Sequence, residues 1–276
     1  MPITEMNALE KSPEIIISVE KVSLAYGQGN GANVLEDIEL QLYEGEFVCL
    51  LGPSGCGKST LLKIIAGLIA PTKGTARMDG KNIKGPERHR GVVFQQPPLY
   101  FWLSTRENVR FGLKMRKIPK PESLKLADEY LRKVGLQDYA QHKPYELSGG
   151  MKQRVAIARA LVNSPRVLLM DEPFGALDAL TREEMQALLR NIWRDTGCTI
   201  LFITHDVDEA LSLGTRVLVM SRTPGRIIQE FSTSFTYGIT AESSSRTRYS
   251  QDFLQLREEI LQLINKQKLS SAGNQT

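Results

Sequence analysis

Several classes of protein are excluded by what this chain has little of. Its 276 residues include three cysteines, Cys49, Cys56 and Cys198. An odd count without metal-site spacing gives neither a disulfide framework nor a thiolate metal centre, and fits a reducing compartment. No apolar run approaches the roughly 18 to 20 residues needed to span a bilayer as a helix. The stretch from Met1 to Lys11 lacks the apolar core of a signal peptide, so the chain is expected to be made and kept in the cytosol. Charge of one sign is also scarce. Lys and Arg number 35 against 31 Asp and Glu, and the net of +4 indicates neither nucleic acid nor strong attraction to an anionic membrane face. No internal repeat or low-complexity tract stands out. The length suits one compact unit with a subdomain.

What is present is glycine in a phosphate-binding pattern. Gly52, Pro53, Ser54, Gly55, Cys56, Gly57, Lys58, Ser59 and Thr60 follow the apolar run Phe47 to Leu51 and precede a helical pattern from Leu61 to Leu68. That is the strand, loop and helix setting of a P-loop. The glycines let successive backbone N–H groups turn toward an anion, with the positive end of the following helix behind them. Lys58 supplies a point charge for β and γ oxygens, and the Ser59 hydroxyl is a hard oxygen ligand for Mg2+. Cys56, inside this loop, is expected to be a reactive thiol because the same field favours thiolate.

A second phosphate-handling element is the apolar run Val167 to Met170, which reads as a strand buried on both faces and ends in Asp171 and Glu172. Asp171 is placed for the metal shell. Glu172 points elsewhere by strand alternation and is free to act as general base on water. His205, one of only three histidines, ends the apolar strand Thr199 to Thr204, at the edge where open α/β sheets bind ligands. Ser148, Gly149 and Gly150 precede a long helix, Met151 to Val162, and form a second anion site at its N-terminus. Two such sites and one evident nucleotide suggest a head-to-tail pair in which each copy completes the other's site.

Leu147-Ser-Gly-Gly-Met151, together with the loop and the acid pair, resembles the signature of the ATP-binding cassette family. Met151 stands where the family most often has Gln. The resemblance implies an α/β fold, a P-loop core with an antiparallel β layer and an inserted all-helical subdomain. It implies ATP and Mg2+ as cofactors and ATP hydrolysis as the activity. Tyr26 looks like the aromatic on which adenine stacks. Gln95 looks like the glutamine that reaches the metal and the attacking water, and Asp178 matches the loop at the dimer interface. The catalytic set expected from the resemblance is Glu172, His205, Gln95 and Lys58, with Ser59, Gln95 and Asp171 at the metal.

The implied partners are a second copy or a homologous ATPase subunit, integral-membrane permease subunits, and a periplasmic or lipid-anchored substrate-binding protein. The expected place is the cytoplasmic face of the inner membrane. Soluble relatives that act on DNA or ribosomes tend to carry coiled-coil insertions or two fused cassettes, and this chain has neither. Gln96 to Asn108 is aromatic and apolar where permeases dock in the family. Phe101-Trp102 replaces the Pro-Trp of many relatives. Stretches outside the nucleotide motifs, among them Gly85 to Gln95, Phe174 to Gln186, Pro224 to Ile227, Glu242 to Arg246 and Phe253 to Glu258, look like the ATPases of bacterial taurine and aliphatic-sulfonate importers. Nitrate and bicarbonate importer ATPases share much of this pattern and remain the alternative.

The organisation expected is a polar tail over 1–14, an ATPase domain over 15–230 with its helical subdomain at about 96–165, and a linker with a C-terminal amphipathic helix over 231–276. Turn glycines at Gly27 to Gly31 separate the first strands. Thr181 to Glu184 has capping-box spacing for the start of a helix. Phe253, Leu256, Ile260 and Leu263 share one helical face, expected to dock on the chain's own domain.

Overall fold

The computed structural model describes residues 14–26, 33–239, 248 and 250–270. The Gly27 to Gly31 turn, the tail as far as residue 13, and the Glu242 to Arg246 stretch lie outside them.

The first sheet is antiparallel. Strands β1 (Ile15–Ala25), β2 (Asn33–Tyr43), β4 (Lys73–Met78) and β5 (Lys81–Asn82) lie in the order β2-β1-β4-β5. The second holds β3 (Phe47–Leu51), β6 (Arg90–Val93), β7 (Val167–Asp171), β8 (Thr199–Ile203), β9 (Arg216–Met220) and β10 (Ile227–Ser232), in the order β10-β9-β3-β8-β7-β6. All its pairs are parallel except β10 with β9.

Every residue of β3 and β8 is buried, because helices or the other sheet cover both faces. Side chains alternate along each strand, so the two faces feed separate cores. Val48, Leu50, Leu169, Leu201 and Leu218 face helix α1 (Lys58–Ile65) and the antiparallel sheet. Phe47, Cys49, Met170, Phe202 and Val219 face the other helices. There Phe47 packs edge-on against Trp193 with ring centroids 5.8 Å apart, and Trp193 Nε1 donates to the Gly45 carbonyl at 2.9 Å.

Between β6 and β7 lie α2 (Thr105–Met115), α3 (Lys120–Lys133) and α4 (Gly149–Leu161). Ala127, Leu131 and Val134 bury at helical spacing, as their pattern requires. Helix α5 (Ala179–Thr196) starts earlier than expected. Its N-cap is Asp178, whose carboxylate accepts from Thr181 N, so the Thr181 to Glu184 box lies inside the helix. Two overlapping cap signals compete here, and the first one wins.

Helix α6 (Val207–Leu213) follows β8. The stretch expected to be a linker after residue 230 carries the end of β10 and a short helix, α7 (Phe235–Gly238). The long α8 (Gln251–Ser270) then docks on the same body, with Phe253 and Ile260 buried and Leu256 and Leu263 packed beside them. No described helix is long and apolar enough to cross a membrane.

Candidate active site

The carboxyl ends of β3 and β7 meet at a cleft lined by Val34, Ser54, Gly55, Gly57, Lys58, Ser59, Thr60 and Glu172, and Glu172 also lines a neighbouring cavity with Thr204 and His205 past the end of β8. Gly55 and Gly57 take φ of +79° and +100°, which favours glycine. A Cβ on Gly57 would also sit 2.6 Å from Leu35 Cδ2. Lys58 is 5% exposed, and its ammonium donates to the carbonyls of Gly52 at 2.8 Å and Pro53 at 2.9 Å. Ser59 Oγ donates to Asp171 Oδ1 at 2.8 Å, which joins the loop to the end of β7. Burial raises the Asp171 carboxyl above its ordinary range, and the Ser59 hydrogen bond opposes this.

Glu172 no longer follows strand alternation. Its φ is +44°, a left-handed conformation that costs a residue with a side chain on the order of 1–3 kcal/mol. That turn aims the carboxylate at His205, whose Nδ1 lies 3.2 Å from Glu172 Oε2. Gln95 lies past the end of β6 and is exposed. A Cβ on Gly175 would be 3.3 Å from Gln95 Nε2 and 3.9 Å from Glu172 Oε2, so amide and carboxylate flank the same glycine.

The remaining expected residues lie apart from this cluster or beside it. Tyr26 is 57% exposed at the end of the first strand. Ser148 caps α4, its hydroxyl accepting from Met151 N at 3.3 Å. Ser148 and Gly149 are exposed, while Gly150 is buried where a Cβ would meet Thr181 Cγ2 at 2.7 Å.

Cys56 is a correction. Its side chain is turned into the fold and 1% exposed, and burial raises its thiol pKa even though Lys58 Nζ, 3.9 Å from the sulfur, pulls the other way. The fields of the loop and helix do act on it, but desolvation outweighs them. Cys56 lies in the core that also holds Leu35, Leu218 and Met220, and a Cβ on Gly52 would be 2.9 Å from its sulfur. Between β9 and β10, Thr223 Oγ1 donates to the Gly55 carbonyl at 3.0 Å, and a Cβ on Gly225 would overlap the Cys56 carbonyl at 2.1 Å. Glu209 and Gln186, beside the cleft, were missed. An acid directly before the buried Ala210 and Leu211 of helix α6 is the signal that could have found Glu209.

The loop fits a nucleoside triphosphate. Positive φ at Gly55 and Gly57 gives the loop the backbone turn of a phosphate cradle, Lys58 lies within it, and Ser59 with Asp171 gives the hard oxygen donors that Mg2+ takes.

Comparison with known proteins agrees with this chemistry. The family model described as ABC transporter matches residues 35–175. The taurine import ATP-binding protein TauB of Roseobacter denitrificans is 49% identical over 90% of this chain and 93% of its own length. An uncharacterized ABC transporter ATP-binding protein of Methanocaldococcus jannaschii, MJ0412, is 47% identical over 88% of both chains. Among solved structures, the ATP-binding cassette MJ0796, a dimer in a post-hydrolysis state bound to ADP and Pi, superposes with a TM-score of 0.72 at 36% identity, covering 79% of this chain and 99% of its own. The fold recurs in a solved cassette and the sequence in relatives aligned over most of their length, and this chain belongs to the ABC transporter family as one of its ATP-hydrolysing subunits.

Proposed function

We propose that the chain energises an importer of a small anion, taurine or another aliphatic sulfonate, as a head-to-tail dimer on the cytoplasmic face of a membrane permease that a substrate-binding protein supplies. The observation that carries the hydrolytic part is the Glu172–His205 contact beside the Ser59–Asp171 pair. Lys58 and the backbone N–H groups of Gly55 to Thr60 hold the phosphates. Ser59, Asp171 and Gln95 hold Mg2+, which when bound offsets charge on the phosphate oxygens. Glu172 accepts a proton from water at its carboxylate, and His205 orients that carboxylate and contacts the γ-phosphate. Tyr26 offers its exposed ring to adenine. Ser148, Gly149 and Gly150 of one copy face the nucleotide held by the other, with Asp178 at the seam.

The loop after Gln95 supports docking on a permease. Asn108, fully buried, accepts from Tyr100 N at 2.8 Å and donates to the Tyr100 carbonyl at 3.1 Å, while the Tyr100 ring packs on Phe111. The inward residues fix the loop, and Phe101 and Trp102 stay 65% and 71% exposed. Two held aromatics on the surface suit a protein partner.

The substrate rests on similarity to taurine import ATP-binding proteins, since this subunit does not touch the transported anion. Reconstitution with its native permease and binding protein in vesicles tests it. Taurine is expected to stimulate ATP hydrolysis more than nitrate or bicarbonate. Stimulation by nitrate or bicarbonate but by no sulfonate would assign the alternative importers instead.

A further inference from the structure

Helix α6 is buried and largely apolar, yet it contains Glu209, which is 6% exposed. A carboxylate in such a place needs partners, because burial without them is costly. Glu209 Oε2 accepts from Thr204 Oγ1 at 2.5 Å and Oε1 accepts from Gln186 Nε2 at 3.1 Å. The side chain does not serve the helix end. Asp206 caps α6 by accepting from Glu209 N at 3.1 Å, which leaves the Glu209 carboxylate free for Thr204. Thr204 Oγ1 in turn accepts from Asp206 N at 3.1 Å. Of the two sequence neighbours of His205, Thr204 is therefore held directly by the buried carboxylate and Asp206 through the Thr204 hydroxyl, while the His205 ring meets Glu172. The chain of bonds continues outward, with Gln186 Oε1 accepting from Arg248 Nη2 at 2.9 Å.

We propose that Glu209 is a positioning residue for ATP hydrolysis: by holding the Thr204 hydroxyl, which in turn accepts from Asp206 N, its carboxylate sets the turn from which His205 reaches Glu172. This rests on the reading of Glu172 and His205 as the hydrolytic pair. Gln186 fixes the carboxylate from the other side, and Arg248 fixes Gln186. A misaligned base loses rate without losing substrate affinity, because phosphate binding is carried by the separate loop around Lys58.

The test uses the full chain, with kcat, ATP affinity and thermal stability measured for each variant. Thr204→Val removes the hydroxyl while keeping the shape, and Glu209→Ala removes the acid. Both are expected to lower kcat about 10- to 100-fold while ATP affinity changes less than about twofold. Glu209→Gln leaves one acceptor oxygen for two donors, so its amide nitrogen must face either that of Gln186 or a Thr204 hydroxyl that has lost its acceptor, and it should also lose rate. Adding Gln186→Glu reverses donor and acceptor between the two, keeps an oxygen for Thr204 and another for Arg248, and should recover most of the loss.

Should Glu209→Ala fail to fold, Thr204→Val and the exchanged pair still decide. Wild-type kcat in Thr204→Val, affinity falling in step with kcat, or no recovery in the exchanged pair would each overturn the proposal. His205→Ala and Glu172→Gln in the same assay separate the two levels. If both hydrolyse ATP at the wild-type rate, the hydrolytic reading itself is wrong; if both are inactive and Thr204→Val is normal, only the positioning role fails.

Discussion

Lys58 and Ser148 both stand where a glycine-rich turn enters a helix, and their surroundings are opposite. Lys58 is buried and bonded to two carbonyls of its own loop, and that loop is strapped at the Gly55 carbonyl by Thr223. Ser148 is exposed with Gly149 beside it, and a Cβ built on Gly149 meets nothing within 4 Å. The charge-bearing half of the machinery is held in place by the chain itself. The other half is presented outward, where a second copy can bring a nucleotide to it. The contrast supports the proposal that one helix end binds alone and the other closes a site that starts on a neighbour.

The inward half should fail most severely when its base is changed. Glu172→Gln is expected to cut turnover roughly 100- to 10,000-fold while ATP binding stays near normal, as befits loss of a positioned base. Equilibrium nucleotide binding and steady-state hydrolysis, measured side by side, check it, and wild-type turnover in the variant would remove Glu172 from its role.

The contrast is broken or kept by mixing lesions. A dimer of one Lys58→Ala subunit with one Ser148→Arg subunit carries both defects on one composite site and leaves the other site complete. Assembled with permease, it should hydrolyse ATP faster than either homodimer. Equal rates in all three would leave action of Ser148 across the dimer without support, and nucleotide crosslinking would then separate that outcome from obligate coupling of the two sites.

The smallest effect concerns thiols. Cys56 should react with a maleimide as slowly as Cys49 and Cys198, all three being buried, whereas a Ser148→Cys variant should label quickly. Mass-spectrometric labelling rates decide it, and rapid modification of native Cys56 would contradict its burial.

Much of this was legible in the sequence, and the limits have physical causes. The loop from Gly52 to Thr60 and the strand ending in Asp171 announce themselves because backbone geometry and buried parallel strands each demand narrow residue types. The amphipathic face with Phe253 and Ile260 could likewise be read from spacing alone. Cys56 could not. It is buried in a core that holds Leu218 and Met220 from far along the chain, and no local pattern tells which way a small side chain faces. The start of α5 was ambiguous because Asp178 and Thr181 both satisfy a cap. The left-handed turn at Glu172 breaks the alternation on which its orientation was argued, so the outcome, an acid facing His205, has a different cause from the one expected. The Thr204–Glu209–Gln186 chain joins residues from two helices and a strand end, and only the fold brings them together.

The strand that leads into the phosphate loop also constrains how the molecule can be made. β3 is paired on one side with β8 and on the other with β9, and the loop beyond it is strapped by Thr223 and Gly225. A ribosome releases every residue of the loop long before it delivers the strands and turn that hold it. A nascent chain ending short of β8 would carry the whole phosphate-binding motif with β3 unpaired on both sides, and such long-range pairing is slow to form. ATP therefore cannot template the early folding of its own site; it can reward only a chain that is nearly finished.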